Sequence, residues 1–247
     1  IGFDSIVFLD DNPFERNIVK ENIPEICVPE LPEDPANYLE FLYELNLFET
    51  ASFSNEDSER TKLYQIEAER VKVYKKFTNE DDFLKNLNML SDIQFFNKFN
   101  IPRVAQLSQR SNQFNLRTIR YSEADIEKIS VSNDYLSFAY TLEDNFGNNG
   151  LICVVILKKE CQNTLFIDTW FMSCRVLKRG MENFVLSTII NTAKENGFNT
   201  IIGEYISTNK NDLVKDHYTD LGFRKEQNRF YLDIKDYQEK LNYIKIK

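Results

Sequence analysis

The residues best suited to chemistry lie in a short turn, Ser173-Cys-Arg-Val-Leu-Lys-Arg-Gly180, between a predicted strand and a predicted helix. The turn carries the thiol of Cys174 and the cations Arg175, Lys178 and Arg179. A helix N-terminus offers unpaired N–H groups and a positive dipole end, which suit a phosphate or another anion. The same positive potential would lower the pKa of a nearby thiol. The alternative is an ordinary solvated turn, with the cysteine a small core residue.

The elements on either side of this turn follow from the hydrophobic pattern. The stretch from Leu165 to Met172 is apolar, aromatic and β-branched, as is typical of a buried strand. We expect its Trp170 to belong to the core rather than to a binding surface. Val185 and Ile189 lie four residues apart on the apolar face of the helix that follows, which is predicted to end before Gly197.

Composition excludes several classes of function. The chain has 247 residues, so one large domain or two small ones can bury a core. A net charge of −9 argues against binding to nucleic acid or to an anionic membrane. Apolar runs stay well short of the ~20 residues that span a bilayer. The cysteines show no metal-ligand spacing, which predicts reduced thiols in a cytoplasmic protein; they are Cys27, Cys153, Cys161 and Cys174.

A second set of chemically suited residues lies near the start of the chain. Asp10 and Asp11 follow a predicted strand, Ser5 to Leu9, at the edge where α/β sheets bind ligands. Paired carboxylates there suit a hard cation such as Mg²⁺. Asn12 and Pro13 also make a good helix start, so a metal site and a simple helix cap both remain open.

The order of predicted elements changes along the chain. Residues 1–110 are predicted to be largely helical, like the end of an α/β domain. From Ser111 the pattern is β, α, β, β, β, turn, α, β, α, β. The strands predicted in this second part are residues 114–119, 135–142, 151–157, 165–172, 200–206 and 229–234, and residues 212–221 are a predicted helix.

This order, with an anion-binding type of turn after the fourth strand, resembles the GNAT acyltransferase fold. The stretch His217-Tyr-Thr-Asp-Leu-Gly-Phe223 is similar to that family's last helix. The resemblance implies a mixed sheet that splays between its fourth and fifth strands, with Tyr218 as general acid. It also implies that Gly180 and Asn211 contact a CoA-type cofactor. Glu182 and Phe184 stand where GNAT proteins have small residues, so we expect acetyl-CoA to bind weakly.

Longer segments spread along the chain are similar to the FkbH-like proteins, in which a HAD-type phosphatase domain precedes a GNAT-like region. The segments are Phe8-Leu-Asp-Asp-Asn-Pro-Phe-Glu-Arg16, Arg103-Val-Ala-Gln-Leu-Ser-Gln-Arg-Ser-Asn-Gln-Phe-Asn-Leu116, Asp168-Thr-Trp-Phe-Met-Ser-Cys-Arg-Val-Leu177 and Gly203-Glu-Tyr-Ile206. The resemblance implies Mg²⁺ in the phosphatase half. It also implies that a glyceryl unit passes from an acyl phosphate to the thiol of an acyl carrier protein.

The first of these segments resembles the last HAD motif, and the chain has no Asp-x-Asp nucleophile motif before it. We therefore expect a C-terminal piece of a longer protein, whose phosphatase chemistry is incomplete. Residues 1–110 are predicted to be the C-terminal remnant of a HAD-like domain with a helical linker. Residues 111–247 are predicted to be the GNAT-like acyltransferase domain. The fold class expected is α/β, a mixed sheet with flanking helices.

Acyl transfer from an acyl phosphate needs a nucleophile, anion contacts and an oxyanion donor. Cys174 is the candidate for a thioester intermediate, and the three cations of its turn are candidates for contact with phosphate or phosphopantetheine. Glu204 is either a general base or the partner of a cation. Tyr218 is either a general acid or a buried packing residue. His217, the only histidine, is expected to be a surface residue beside that tyrosine, with a catalytic role as the alternative.

Three functions remain open from the sequence. The first is the acyl-transfer region of an FkbH-like enzyme, which the pair Cys174 and Arg175 favours. The second is a GNAT-like module without catalysis that docks a carrier protein, which the altered glycine motif favours. The third is a CoA-dependent N-acetyltransferase.

Overall fold

The computed structural model describes residues 2–49, 60–160 and 163–247. The chain divides into two compact units, Ile1–Arg60 and Thr61–Lys247. The boundary predicted after residue 110 falls inside the second unit, because two strands from residues 61–110 join the main sheet there. The assignment of each part of the chain to a kind of domain stays a prediction.

The first unit contains a short β–α–β arrangement. Val7 and Cys27 form a parallel β-bridge, and α1 (Pro13–Asn22) lies between them in the chain. The side chain of Asn12 accepts a hydrogen bond from the N–H of Phe14, so the predicted helix cap is confirmed. The strand predicted from Ser5 to Leu9 is reduced to that single bridge among the described residues. A second helix, α2 (Tyr38–Glu44), follows.

The helices of the second unit are α3 (Arg60–Tyr74), α4 (Glu80–Asn86), α5 (Ile101–Arg110), α6 (Glu123–Val131), α7 (Met181–Glu195) and α8 (His217–Asp220). The first of them, α3, begins at the boundary between the two units. The strands are β1 (Leu90–Ser91), β2 (Ile93–Gln94), β3 (Tyr135–Asp144), β4 (Gly147–Glu160), β5 (Thr164–Met172), β6 (Thr200–Glu204), β7 (Arg224–Glu226), β8 (Arg229–Asp233) and β9 (Lys245–Ile246). Within the described residues, no helix is both long and apolar enough to cross a membrane.

These strands form one mixed sheet. Their order is β7-β8-β6-β5-β4-β3-β1-β9, and β2 also pairs with β3. β5 pairs with β6 in parallel, as β1 does with β9, and the other neighbours are antiparallel. Helices flank the sheet, so the predicted fold class, a mixed α/β sheet with flanking helices, is confirmed.

Both faces of the sheet are covered by apolar residues. One core lies under α7 and contains Trp170, Ile189 and Tyr218. The other lies under α5 and α6 and contains Phe171 and Val104. Residues 170 and 171 point to opposite faces because successive side chains of a strand alternate. Trp170 is fully buried, which confirms its predicted place in the core.

Two predicted elements of the second unit differ from the structure. The strand predicted at residues 114–119 makes only an isolated bridge, between Asn115 and Phe171. The helix predicted at residues 212–221 is a 3₁₀ turn, Asp212–Val214, followed by the one-turn helix α8. Both segments lie next to the C-terminal ends of β5 and β6, where contacts with the sheet determine their backbone.

Candidate functional site

The site is built around a gap between two parallel strands. Residues 164–166 of β5 pair with residues 200–202 of β6, and within the described residues the pairing stops there. β5 nevertheless continues to Met172. The backbone edges beyond Phe166 and Ile202 therefore part. We call this opening the gap. It corresponds to the predicted splay, because the fourth and fifth strands predicted from the sequence are β5 and β6 of the structure.

A segment of the chain itself lies in the gap. We call residues 114–118 the wedge. The N–H of Leu116 donates to the carbonyl of Trp170 at 3.2 Å, and the N–H of Met172 donates to the carbonyl of Phe114 at 3.0 Å. On the other side, the N–H of Ile206 donates to the carbonyl of Leu116 at 2.8 Å. The wedge therefore bonds to both edges of the gap, like a very short extra strand.

The wedge is held at its base by Asn211 and ends in a strained residue. Asn211 is fully buried, and its Nδ2 donates to the carbonyls of Asn115 and Ile206 at 3.0 and 2.9 Å. Its predicted contact with a cofactor is thus replaced by contacts within the protein. Thr118 has a φ of 57°, a left-handed conformation that is an outlier for a β-branched residue.

A β-bulge in β5 meets the wedge. The register of β5 against β4 shifts between Ile156 and Leu157, which leaves Asp168 without a partner on β4. A bulge leaves backbone groups unpaired. Nη1 of Arg117 donates to the carbonyl oxygen of Asp168 at 2.7 Å and to its carboxylate at 2.8 Å. Arg117 therefore satisfies both the backbone and the side chain of the bulged residue.

Arg117 also reaches the other strand. Its Nε donates to Oε2 of Glu204 at 2.7 Å, so of the two roles considered for Glu204 the structure shows the pairing with a cation. The hydroxyl of Tyr121 donates to the second carboxylate oxygen of Asp168 at 2.8 Å. Burial raises the pKa of Tyr121, and the neighbouring Asp168 carboxylate adds to this. The guanidinium of Arg117 stacks over the ring of Phe166 at 5.0 Å.

Tyr218, the predicted general acid, is enclosed by the core. It is 1% exposed, and burial raises the pKa of its hydroxyl. Its ring lies directly on Gly203 of β6, where a Cβ would come within 2.4 Å of two ring carbons. Glycine is therefore needed at position 203 for the backbone to approach the ring this closely.

His217 is buried, so its predicted surface position is wrong. Its ring packs edge-on against Trp170 at 4.5 Å and against Phe114 of the wedge at 5.0 Å. Burial lowers the pKa of His217 to about 3. Its Nε2 has no hydrogen-bond partner among the described residues. A side chain that is 8% exposed thus holds an unpaired nitrogen next to the gap.

The turn after β5 differs from its predicted geometry. Cys174 is exposed and begins a 3₁₀ turn, Cys174–Val176, rather than an α-helix. The α-helix α7 begins only at Met181, after Gly180, whose φ of 78° suits a glycine. Dipole effects fade within the first helical turn, so the expected influence of this helix on the thiol is lost. Arg175 remains adjacent, and its Nε donates to Oγ of Ser173 at 3.2 Å.

Arg179 does not face a ligand, which corrects its predicted role in anion binding. It is 4% exposed, and its guanidinium donates to Asp144 at 3.1 Å and to Glu67 at 2.7 Å. Arg70 donates to the same buried Asp144 carboxylate at 2.9 Å. Burial and the nearby Arg70 lower the pKa of Arg179 to about 10. This network joins α3 to the sheet and serves packing.

The start of α7 already carries an acidic side chain, Glu182. The backbone N–H groups of Glu182 and Lys178 favour the charged form of the Glu182 carboxylate, although burial raises its pKa overall. Lys178 is exposed and, with Gly180, lines a neighbouring cavity of about 580 Å³. Glu80 and Asp81 line the same cavity. These carboxylates do not fit the diphosphate of CoA.

Asp10 and Asp11, the predicted metal ligands, form a small loop in the first unit. The carboxylate of Asp10 accepts the N–H of Asn12 at 2.8 Å. Their two carbonyls accept Nη1 of Arg16 at 2.8 and 3.0 Å. The described residues contain no group of three or more metal-binding side chains. As they stand, these two aspartates fall short of the ligand set that Mg²⁺ takes, so no metal step is derived.

Comparisons with known proteins give only distant or partial likeness. No protein-family model and no curated protein matches the chain. The ribosomal-protein-S18-alanine N-acetyltransferase from Escherichia coli is 16% identical, with a TM-score of 0.46, over 61% of this chain and 98% of that one. The spermidine N-acetyltransferase from Vibrio cholerae, solved with CoA and spermine, is 13% identical, with a TM-score of 0.46, over 60% of this chain and 97% of that one.

A third structure matches a smaller part of the chain. It is the N-terminal part of the protein BF1531 from Bacteroides fragilis, which contains a phosphatase domain complexed with Mg. It is 77% identical over 22% of this chain, with a TM-score of 0.21. The match spans only 14% of that structure's own chain.

Proposed function

We propose that the second unit is the acyl-transfer region of an FkbH-like biosynthetic enzyme. It would load a glyceryl-type unit from an acyl phosphate onto the thiol of an acyl carrier protein. The observation that carries the proposal is the combination of a gap between β5 and β6 with a closed anion site at α7. A thiol on a carrier protein needs the gap, whereas Glu182 places a carboxyl group in the first turn of α7, the kind of position where a CoA diphosphate would otherwise bind.

Cys174 is the residue we assign to the first step. It is exposed and lies two residues beyond the end of β5, one of the two strands that border the gap. Its sulfur attacks the acyl carbon of the acyl phosphate and forms a C–S bond, the C–O bond breaks, and the electron pair leaves with the phosphate, which also takes up the thiol proton. Arg175 beside it is the proposed contact for that phosphate. The thiol of the carrier then displaces Cys174 from the thioester.

The phosphatase half of the proposal rests on the sequence resemblance alone. Asp10 and Asp11 would contribute to a Mg²⁺ site only together with residues of a HAD-type partner region. The carrier protein and the acyl phosphate are likewise proposed partners. We propose no nucleic-acid or membrane partner, given the net charge of −9.

A donor comparison tests the proposal. The purified chain is mixed with a carrier protein that bears phosphopantetheine, and with either 1,3-bisphosphoglycerate or acetyl-CoA as donor. Intact-protein mass spectrometry of the carrier is the readout, and the apo carrier is the control. We expect a mass gain on the holo carrier with the acyl phosphate only. Loading from acetyl-CoA alone would overturn the proposal.

A specific observation favours a second candidate, a docking module without catalysis. The wedge fills the gap through bonds to both strands, and Tyr218 has no open side. This candidate requires that the holo carrier binds the chain while no donor yields a loaded carrier. Binding by calorimetry together with the donor comparison separates the two candidates.

A further inference from the structure

We propose that the wedge is a displaceable cover, and that His217 beneath it is the group that takes the proton from the carrier thiol. This inference rests on the proposed acyl transfer and adds an acid–base residue to it. Three observations carry it: the bonds that hold the wedge, the strain at its end, and the unpaired imidazole nitrogen that it covers.

A small number of hydrogen bonds hold the wedge in the gap. The wedge contributes backbone bonds to Trp170, Met172 and Ile206, and the side chain of Arg117 ties it to both strands. The buried side chain of Asn211 adds one more bond, to the carbonyl of Asn115. The side chains of Asp168 and Glu204 are 20% and 24% exposed, so water can replace Arg117 at both carboxylates. Arg117 is therefore the positioning residue that holds the cover closed.

The closed position is strained at Thr118. A β-branched residue at a φ of 57° is unfavourable, and such outliers cluster at sites that move or bind ligands. Its Oγ1 is also buried without a hydrogen-bond partner among the described residues. The backbone strain and the unpaired hydroxyl of Thr118 are present only while the wedge lies in the gap, so both favour release of the wedge.

Displacement of the wedge would uncover the imidazole of His217. Phe114 packs its ring edge-on against His217, and Trp170 lies on the same imidazole. When Phe114 leaves, the imidazole loses one of the two rings packed edge-on against it, and its Nε2 has no hydrogen-bond partner in the described part of the chain. A buried polar group without a partner is costly, which makes a hydrogen-bonding ligand at this nitrogen favourable.

In the second step, the acyl group passes from Cys174 to the carrier thiol, and His217 carries the thiol proton. The carrier thiol gives its proton to Nε2 of His217 while its sulfur forms a C–S bond with the acyl carbon. The C–S bond to Cys174 breaks, and its electron pair stays on the Cys174 sulfur. That sulfur takes the proton back from His217. The carrier leaves acylated, and Cys174 and His217 return to their starting forms.

The single histidine makes the cover testable without any activity assay. Diethyl pyrocarbonate modifies accessible imidazoles, and mass spectrometry of the whole chain follows the reaction. We expect Arg117→Ala to speed modification of His217 about tenfold, because it lowers the cost of local opening. Thr118→Asn, which relieves the strain, should slow it. Asp144→Asn, which weakens the separate network at α3, controls for general loss of stability and should leave the rate unchanged.

Equal rates in the wild-type chain and Arg117→Ala would contradict the proposal that the wedge is a displaceable cover. So would an equal acceleration by Asp144→Asn.

The acid–base role of His217 has its own readout. In His217→Gln, acylation of Cys174 should persist while transfer to the carrier slows by about 100-fold, and added imidazole should restore part of it. Transfer at the wild-type rate would overturn that role. If no acyl phosphate ever labels the wild-type chain, the proposed function fails, while the diethyl pyrocarbonate rates still decide the cover.

Discussion

The Nε of Arg117 donates to Oε2 of Glu204 at 2.7 Å, from a loop to a strand 87 positions later in the chain. The same side chain bonds to Asp168 on the neighbouring strand. One arginine thus bridges β5 and β6 where their own pairing has ended.

Replacement of Arg117 should destabilise the second unit. Arg117→Ala leaves two part-buried carboxylates and the bulge carbonyl of Asp168 without their donor. We expect a loss of about 2 kcal/mol in the free energy of unfolding, less than for a fully buried pair because both carboxylates are partly exposed. Urea denaturation measures it.

The control for this change is an exposed arginine. Arg224 pairs with Glu226 at 2.8 Å, and both side chains are more than half exposed. Arg224→Ala should therefore change the free energy of unfolding by less than about 0.5 kcal/mol. Equal effects of the two substitutions would show that Arg117 is only another surface cation.

A methyl group at position 203 should be poorly tolerated. Gly203→Ala would place a Cβ within 2.4 Å of the Tyr218 ring, and such overpacking costs about 2 kcal/mol. Denaturation of the single variant measures that cost. In a Tyr218→Leu background the same change should cost less, because the ring that it strikes is gone. An unchanged cost in both backgrounds would refute the contact.

The burial of His217 should make stability depend on pH. Its pKa falls from 6.5 to about 3 on folding, so between these values the unfolded chain binds more protons than the folded one. The free energy of unfolding therefore falls as the pH is lowered through this window, by about 2 kcal/mol between pH 8 and pH 5 from this residue.

The comparison that isolates this effect is His217→Gln, since the chain has no other histidine. The difference in unfolding free energy between the two proteins should shrink by that amount as the pH falls from 8 to 5. Carboxylate titrations are common to both and cancel. Curves that stay parallel would mean that His217 is accessible to protons in the folded protein.

Acetyl-CoA should bind weakly. The Glu182 carboxylate lies where a diphosphate would meet the start of α7, so we expect a Kd weaker than about 0.1 mM by calorimetry. Glu182→Gln should tighten binding several-fold, whereas Glu226→Gln on the exposed strand β7 should not. A low-micromolar Kd for the unchanged chain, about −8 kcal/mol, would contradict this account of the turn.

The sequence predicted the long, strongly patterned elements well. The capping box of Ser122 and Asp125 marks the start of α6, and Asn79 caps α4. Strands β3, β4 and β5 and helix α7 follow directly from runs of apolar residues. The predictions of weakly patterned elements were wrong where long-range contacts determine the backbone conformation. Residues 114–118 have a strand-like composition, but their partners are the separated edges of β5 and β6 rather than a neighbouring strand.

The site was less predictable than the fold. Arg117 carries no local signal, because its partners Asp168 and Glu204 lie 51 and 87 positions away. Arg179 looked like an anion contact from its turn, but its acceptor Asp144 comes from the β3–β4 hairpin and buries it. His217 is polar and follows charged residues, which suggested the surface. Only its packing against Trp170 shows otherwise.

The central claim is that Cys174 carries the acyl group. The most direct measurement is the intact mass of the chain after incubation with 1,3-bisphosphoglycerate, without a carrier protein. The account predicts a hydroxylamine-sensitive adduct on the wild-type chain and on Cys27→Ser, which removes another exposed thiol, and none on Cys174→Ser. An adduct of equal size on Cys174→Ser, or full loading of the carrier by that variant, would contradict it.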